Sequence, residues 1–292
     1  MENNIPIIDT HVHFWDIEHL HYEWLQEVSA INKTFLPSHY LEDMGAANIQ
    51  KMIFVECGVA TDDATSQKEV AWVHTLAEQE SRIQGIVAHA SLENGEEVRP
   101  HLEWLSQQPL VKGVRRLLQA ESDSNFCLQK HFLEGVKLLS EFGFSFDLCI
   151  KHHQLPAAIQ LVEQCPEVQF VLDHIAKPNI KENLQDPWRE HIRILAQLPN
   201  VACKISGVVT EADHQYWQAE DVRPYIEHVI NCFGFDRIMY GGDWPVVRLA
   251  SSYSRWFELV QEIFKDFSHL EKSRFFQENA DIIYRLPPMR LD

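Results

Sequence analysis

A chain of 292 residues, 45% hydrophobic and 11% aromatic, is long enough to bury a large core and too apolar to stay disordered. Its 25 basic and 43 acidic residues leave a formal charge of −18, which argues against non-specific binding to nucleic acid or to anionic membranes. With no basic-then-apolar leader, no apolar run near the roughly 20 residues of a spanning helix, and six scattered cysteines lacking a C-x-x-C pair, the chain reads as cytoplasmic, with reduced thiols.

The first predicted strand lies near 5–9 and runs into His11 and His13, one residue apart. Strict alternation would put Ile7, Asp9, His11 and His13 on one face and Ile8, Thr10 and Val12 on the other. Two imidazoles at a strand's end can bind a divalent metal or polarise a substrate oxygen. The following stretch, 14–45, is longer than a connecting loop needs and carries Trp15, His19, His21, Tyr22, Trp24 and Phe35. It is either a plug of packed aromatics or a lid that supplies walls and donors to a ligand.

Further branched, apolar runs predict strands near 51–57, 83–89, 111–116, 144–150, 168–173, 201–206 and 237–242. Helical signals fall between them. Val70, Val73, Leu76 and Ala77 form a one-sided stripe over 66–81; Phe132, Leu133, Val136 and Leu139 do so over 129–142, which stops at Gly143. Pro156 and Pro187 suit first helical turns, with Asp186 a cap for the second, and two closing helices are expected near 254–267 and 271–285. Eight βα units in this order predict a TIM-like (β/α)8 barrel forming one domain over 1–292, with an open doubly wound sheet as the alternative.

Barrel sites are built at the C-terminal ends of the strands, and the polar residues expected there are His11, His13, Glu56, Arg115, Asp147, Asp173, His174, Lys204 and Asp243. Charges at these positions are costly to bury without a partner or a purpose. Lys204 stands inside an otherwise apolar run, where an ion pair with Asp147 is the structural explanation.

The opening Asp9-Thr10-His11-Val12-His13-Phe14-Trp15-Asp16 resembles the signature of the amidohydrolase superfamily. Gly113-Val114-Arg115, Phe146-Asp147-Leu148, Leu172-Asp173-His174 with Lys177-Pro178, Lys204-Ile205-Ser206-Gly207, Tyr240-Gly241-Gly242-Asp243-Trp244-Pro245, Asn279-Ala280 and Tyr284-Arg285 are similar to its sugar-lactonase branch, typified by L-fuconolactonase and L-rhamnonolactonase. The likeness runs over nearly the whole chain. It implies a distorted barrel of the metal-dependent hydrolase type that opens a small sugar-derived lactone, with His11, His13, His174 and Asp243 lining the site. Members with two metals need a carboxylated lysine or a glutamate at the end of the fourth strand; Arg115 and Arg116 stand there instead, and an arginine repels cations. That leaves one divalent ion, zinc first, on His11, His13, His174 and Asp243, or no ion at all.

On this reading Asp243 is the general base or orients a metal-bound water, and His11, His13 and His174 polarise the lactone carbonyl directly or through zinc. Arg115 and Lys204 would anchor hydroxyls or a carboxylate, Glu56 and Asp147 would bind hydroxyls, and Trp15, Trp244 and His21 would contact the sugar. The alternatives are a mononuclear zinc decarboxylase acting on an unsaturated or aromatic acid, and a non-catalytic sugar-acid binder. The expected partner is a small-molecule lactone, not nucleic acid or membrane, and a homodimer is the assembly considered.

Overall fold

The computed structural model of the chain describes residues 5–59 and 62–288. Eight strands, β1 (Ile7–Val12), β2 (Ile49–Val55), β3 (Ile83–His89), β4 (Val111–Arg115), β5 (Ser145–Leu148), β6 (Phe170–Leu172), β7 (Val201–Ser206) and β8 (Ile238–Gly241), pair in parallel in chain order. The sheet curls until β8 meets β1. The Asp243 amide donates to the His11 carbonyl at 2.8 Å and the His13 amide to the Trp244 carbonyl at 2.7 Å. The result is a nearly closed (β/α)8 barrel.

Helices α1 (Pro37–Asp43), α2 (Asp63–Gln79), α3 (Arg99–Ser106), α4 (Lys130–Phe142), α5 (Leu155–Gln164), α6 (Trp188–Leu195), α7 (Ala219–Phe233) and α8 (Tyr253–Phe264) cover the outside of the sheet. Helix α2 begins three residues before the predicted 66 because the Asp62 carboxylate accepts the Thr65 amide at 2.8 Å and caps it. Pro187 occupies the N-cap position of helix α6 without a side-chain cap bond, so Asp186 lies one residue outside the expected cap. The second closing helix is not continuous: α9 (His269–Ser273) passes through a π turn at Arg274–Glu278 into α10 (Asn279–Ile283).

Two layers of apolar side chains result. Inside the barrel Ile8, Ile53, Val55, Val87, Val171, Ala202 and Met239 form one cluster, closed off where the strands begin by Ala280, Tyr284 and Leu286. Tyr284 reaches through that floor to donate to Asp147 Oδ2 at 2.8 Å, and Lys51 pairs with Asp281 at 2.5 Å. A larger cluster fills the space between sheet and helices.

The alternation expected of β1 fails in one place. Asp9 pairs with Met52, while Val12 pairs with Phe54, so three steps on β1 span two on β2. The extra residue is a bulge, which re-aims the side chains beyond it. Asp9 therefore faces outward, where it accepts from Tyr40 of α1 at 2.8 Å and Tyr253 of α8 at 2.9 Å. His11 and His13 turn inward together. Their expected common face with Asp9 is thus corrected, because the bulge falls between them and re-aims the side chains beyond it.

The stretch 14–45 packs as an aromatic plug with one edge at the barrel mouth. Trp15 meets Trp24 and Phe35 edge-on, both at 5.5 Å, and Phe35 meets Trp244 at 5.3 Å. Among the described residues no helix is long and apolar enough to cross a membrane.

Candidate functional site

The ends of β1, β4, β6 and β8 deliver the side chains that meet at the barrel mouth. His13 follows β1, and its Nδ1 donates to the Val55 carbonyl at 2.8 Å. A carbonyl can only accept, so that contact places a proton on Nδ1 and turns Nε2 toward the mouth. Nε2 of His11 stands 3.2 Å from that Nε2. The far nitrogen of His11, Nδ1, is 3.3 Å from Asp173 Oδ1 and 3.4 Å from Lys204 Nζ.

After β6 the backbone makes an unusual left-handed turn. His174, Ile175, Ala176 and Lys177 all have positive φ, at 51°, 50°, 62° and 47°. Each such residue costs roughly 1–2 kcal/mol, and for a β-branched isoleucine the conformation is a true outlier. Burial of Ile175 and Ala176 holds the turn in place. It presents His174, whose Nδ1 lies 3.0 Å from the Ser206 carbonyl.

Asp243, just past β8, also has positive φ, at 53°. Gly207 is what admits it: a Cβ there would overlap Asp243 Oδ2 and stand 2.7 Å from the aspartate's own Cβ. Asp243 Oδ1 is then 3.5 Å from His13 Nε2 and 3.8 Å from His11 Nε2, and Oδ2 is 3.8 Å from His174 Nδ1.

Behind this cluster lies a buried charge network. Arg115 pairs with Glu56 at 2.7 Å and Asp173 at 3.3 Å; Lys204 pairs with Asp147 at 2.5 Å and Asp173 at 3.2 Å. Burial pushes Asp147 up to about 6, although Lys204 opposes it. Burial pulls the other way on Asp173, but Lys204 and then His11 hold its carboxylate well below the usual range. Burial keeps His11 far below an ordinary imidazole and lowers His174 to about 4, so both are neutral at pH 7. Asp243 is depressed: burial works against its charge, but His174 and then His13 beside it outweigh it. The mouth thus holds the ionised Asp243 carboxylate beside the neutral imidazoles of His11 and His174. Such a group can take a proton from water while the imidazoles orient or polarise what lies beside it.

The ligand atoms also suit a metal. Two nitrogens bound to zinc at about 2.0–2.1 Å in a tetrahedron stand about 3.3 Å apart. The two Nε2 atoms at 3.2 Å and Asp243 Oδ1 at 3.5 Å from His13 match that spacing. His11, His174 and Asp243 each offer a donor within 4.8 Å of one another. The carboxylate of Asp173 behind His11 is the usual support of a metal-bound histidine. A second group, Cys149, Asp173 and His174, is as compact, but burial raises the Cys149 thiol to about 11 and Asp173 is already committed to two cations.

A cleft of about 300 Å³ opens above the cluster, with His13, Arg115, His174 and Asp243 on its floor. Of the other residues expected at the site, Lys204, Glu56 and Asp147 are fully buried beneath it, held in the charge network. Trp15 and Trp244 are wholly buried in the aromatic plug, Trp244 donating to Asp43 at 2.8 Å, and His21 is exposed away from the cleft. None of these six lines the cleft. The walls come from Trp24, which belongs to the stretch read as plug or lid, and from residues to which the sequence assigned no role: Cys57, Leu117, Gln119, Cys149 and Lys177. Trp24 was visible within the aromatic stretch, and Lys177 in the Lys177-Pro178 pair three residues beyond His174; which of them faces the cleft is set by loop geometry.

Fold and site together define a barrel hydrolase-type centre, with histidines and an aspartate gathered at the C-terminal ends of parallel strands. The amidohydrolase family model (Amidohydro_2) matches residues 8–286, so the chain belongs to that amidohydrolase family. It is 31% identical to an L-fucono-1,5-lactonase of Burkholderia multivorans, over 96% of this chain and 96% of the relative. Crystal structures of an amidohydrolase from Burkholderia multivorans, one with bound HEPES and one with bound zinc, superpose with TM-scores of 0.87 and 0.85 at 30% identity, covering 96% of this chain and 99% of theirs. Family membership supports a hydrolytic activity.

Proposed function

We propose that the protein hydrolyses a small sugar-derived lactone to its hydroxy acid. The observation that carries this reading is the ionised Asp243 carboxylate beside His13 and His174 on the floor of a cleft sized for one small molecule, with His11 buried directly behind them. Lactone opening needs a base for water, an electrophilic contact to the carbonyl and room for a polyhydroxylated ring. Asp243 takes the proton from water, and the imidazoles steer the carbonyl. Trp24 offers an aromatic wall to the C–H face of a sugar.

Arg115 meets the ligand at the floor. Lys204, Glu56 and Asp147 act one layer below, holding Arg115 and His11 in place. His11, His13, His174 and Asp243 would hold a divalent ion, which when bound supplies Lewis-acid polarisation and a more acidic water. The lactonase relative and the zinc-bound relative support the reading.

A pH-indicator screen of aldonolactones, with and without zinc and a chelator, tests it. Proton release on at least one lactone is expected. If every lactone is inert while an unsaturated or aromatic acid loses CO₂ in a zinc-dependent reaction, the reading is replaced by the decarboxylase.

A further inference from the structure

Three cations approach the cleft, and two are already neutralised. Arg115 is held by Glu56 and Asp173, and Lys204 by Asp147 and Asp173. Lys177 is different. It lines the cleft with His13, His174 and Asp243, and no carboxylate among the described residues is in salt-bridge contact with it. Burial alone would lower its pKa, but the Cys149 sulfur and then the carboxyls of Glu211 and Asp243 push it above the usual lysine value.

Its placement is not incidental. The left-handed turn after β6 has close to three residues per turn, so residues 174 and 177 fall on the same side. The Lys177 amide closes that turn on the His174 carbonyl at 2.9 Å. The strained backbone therefore serves two side chains at once, and strain of this kind collects where function needs it.

Charge bookkeeping shows what the ammonium is for. Before reaction the cleft floor holds the Asp243 carboxylate and, facing the same space, the Lys177 ammonium with no carboxylate among the described residues in salt-bridge contact. When water adds to the lactone carbon, its proton passes to Asp243 and the carbonyl π pair moves onto the acyl oxygen. The negative charge has then left Asp243 and sits on the substrate. On collapse the ring C–O bond breaks, the ring oxygen takes the proton from Asp243, and the product keeps a carboxyl group that ionises at neutral pH.

We infer that Lys177 is a further catalytic residue, its ammonium receiving the negative charge that grows on the acyl oxygen and persists on the product carboxylate. This inference rests on the lactone-hydrolase reading.

The test compares the wild type with Lys177→Gln and Lys177→Arg on a lactone the wild type opens, adding the sodium salt of the matching aldonate as inhibitor. Lys177→Gln should lower kcat by about a hundredfold or more, the loss seen when one oxyanion donor is removed, with KM nearly unchanged. Aldonate inhibition should weaken at least about tenfold, and Lys177→Arg should restore much of both. A rise in KM at unchanged kcat, or unaltered aldonate inhibition, overturns the inference. Aldonate binding to Asp243→Asn and to Asp243→Asn/Lys177→Gln, read by tryptophan fluorescence, judges Lys177 without turnover; equal binding overturns it too. A wild type inert to every lactone sinks the hydrolase reading instead, and the binding comparison then still decides what Lys177 holds.

Discussion

Replacing Gly207 with alanine probes how Asp243 is seated. A Cβ at 207 would stand 2.7 Å from the Cβ and Cγ of Asp243, about 0.7 Å short of ordinary contact at 3.4 Å, and would overlap Oδ2 outright. Both backbones are locked, Gly207 at φ 57° and Asp243 by its amide bond to the His11 carbonyl, so the aspartate side chain must give way. Displacement near 1 Å costs on the order of a hundredfold in rate when the group is catalytic. Stability should fall by roughly 2–5 kcal/mol, about 1–2 from alanine at positive φ and about 1–3 from overpacking. Gly143 is the control: its φ is 68°, yet a Cβ there meets nothing within 4 Å. Gly143→Ala should therefore show only the backbone cost, with kcat untouched. Urea unfolding and kcat on the best lactone measure both effects. Wild-type kcat in folded Gly207→Ala would refute the claim that Asp243 must sit where the glycine lets it.

Three further outcomes are expected. Asp243→Asn should lose about 10²–10⁴ in kcat with its unfolding midpoint nearly unchanged; near-normal turnover would remove Asp243 from the base role. Lys204→Met breaks a fully buried pair with Asp147 and Asp173 and should cost about 3–5 kcal/mol in urea unfolding, and a cost below about 1 kcal/mol would mean that the network does not hold the barrel interior together. Asp9 is pushed from its ordinary 3.8 up to about 6 by burial, only partly offset by the amides of Gly242 and His11 and the two tyrosines. A raised carboxyl contributes stability that is complete below its unfolded pKa and lost as pH climbs through the folded one, here about 3 kcal/mol between pH 4 and 7. Asp9→Asn should flatten that part of the pH–stability curve; a variant whose curve keeps the wild-type slope would show that Asp9 is not its source.

The barrel was legible because buried parallel strands are nearly continuous apolar runs, and runs such as Val201–Ser206 end on polar residues at one rim. The motif residues His11, His13, His174 and Asp243 were legible for the same reason. Other features were not, and each failure has a cause. The bulge between Asp9 and Val12 lies where β1 meets β8, a pairing of residues more than two hundred positions apart that no local pattern shows. Arg115 and Lys204 were named, but their shared partner Asp173 depends on how neighbouring strands are staggered around the barrel. Trp15 and Trp24 are alike in sequence; only the path of the loop turns one into the plug and the other to the cleft.

The reach of Tyr284 through the barrel floor bears on how the chain acquires its shape. The segment that seals Asp147 and Lys204 from water is synthesised after all eight strands, so a nascent chain that already has its sheet still exposes a wet, charged lumen. Completion of folding is therefore tied to the late arrival of α10 and Tyr284, and ribosome-arrested chains stopped before that tyrosine should remain open to proteolysis from beneath the barrel.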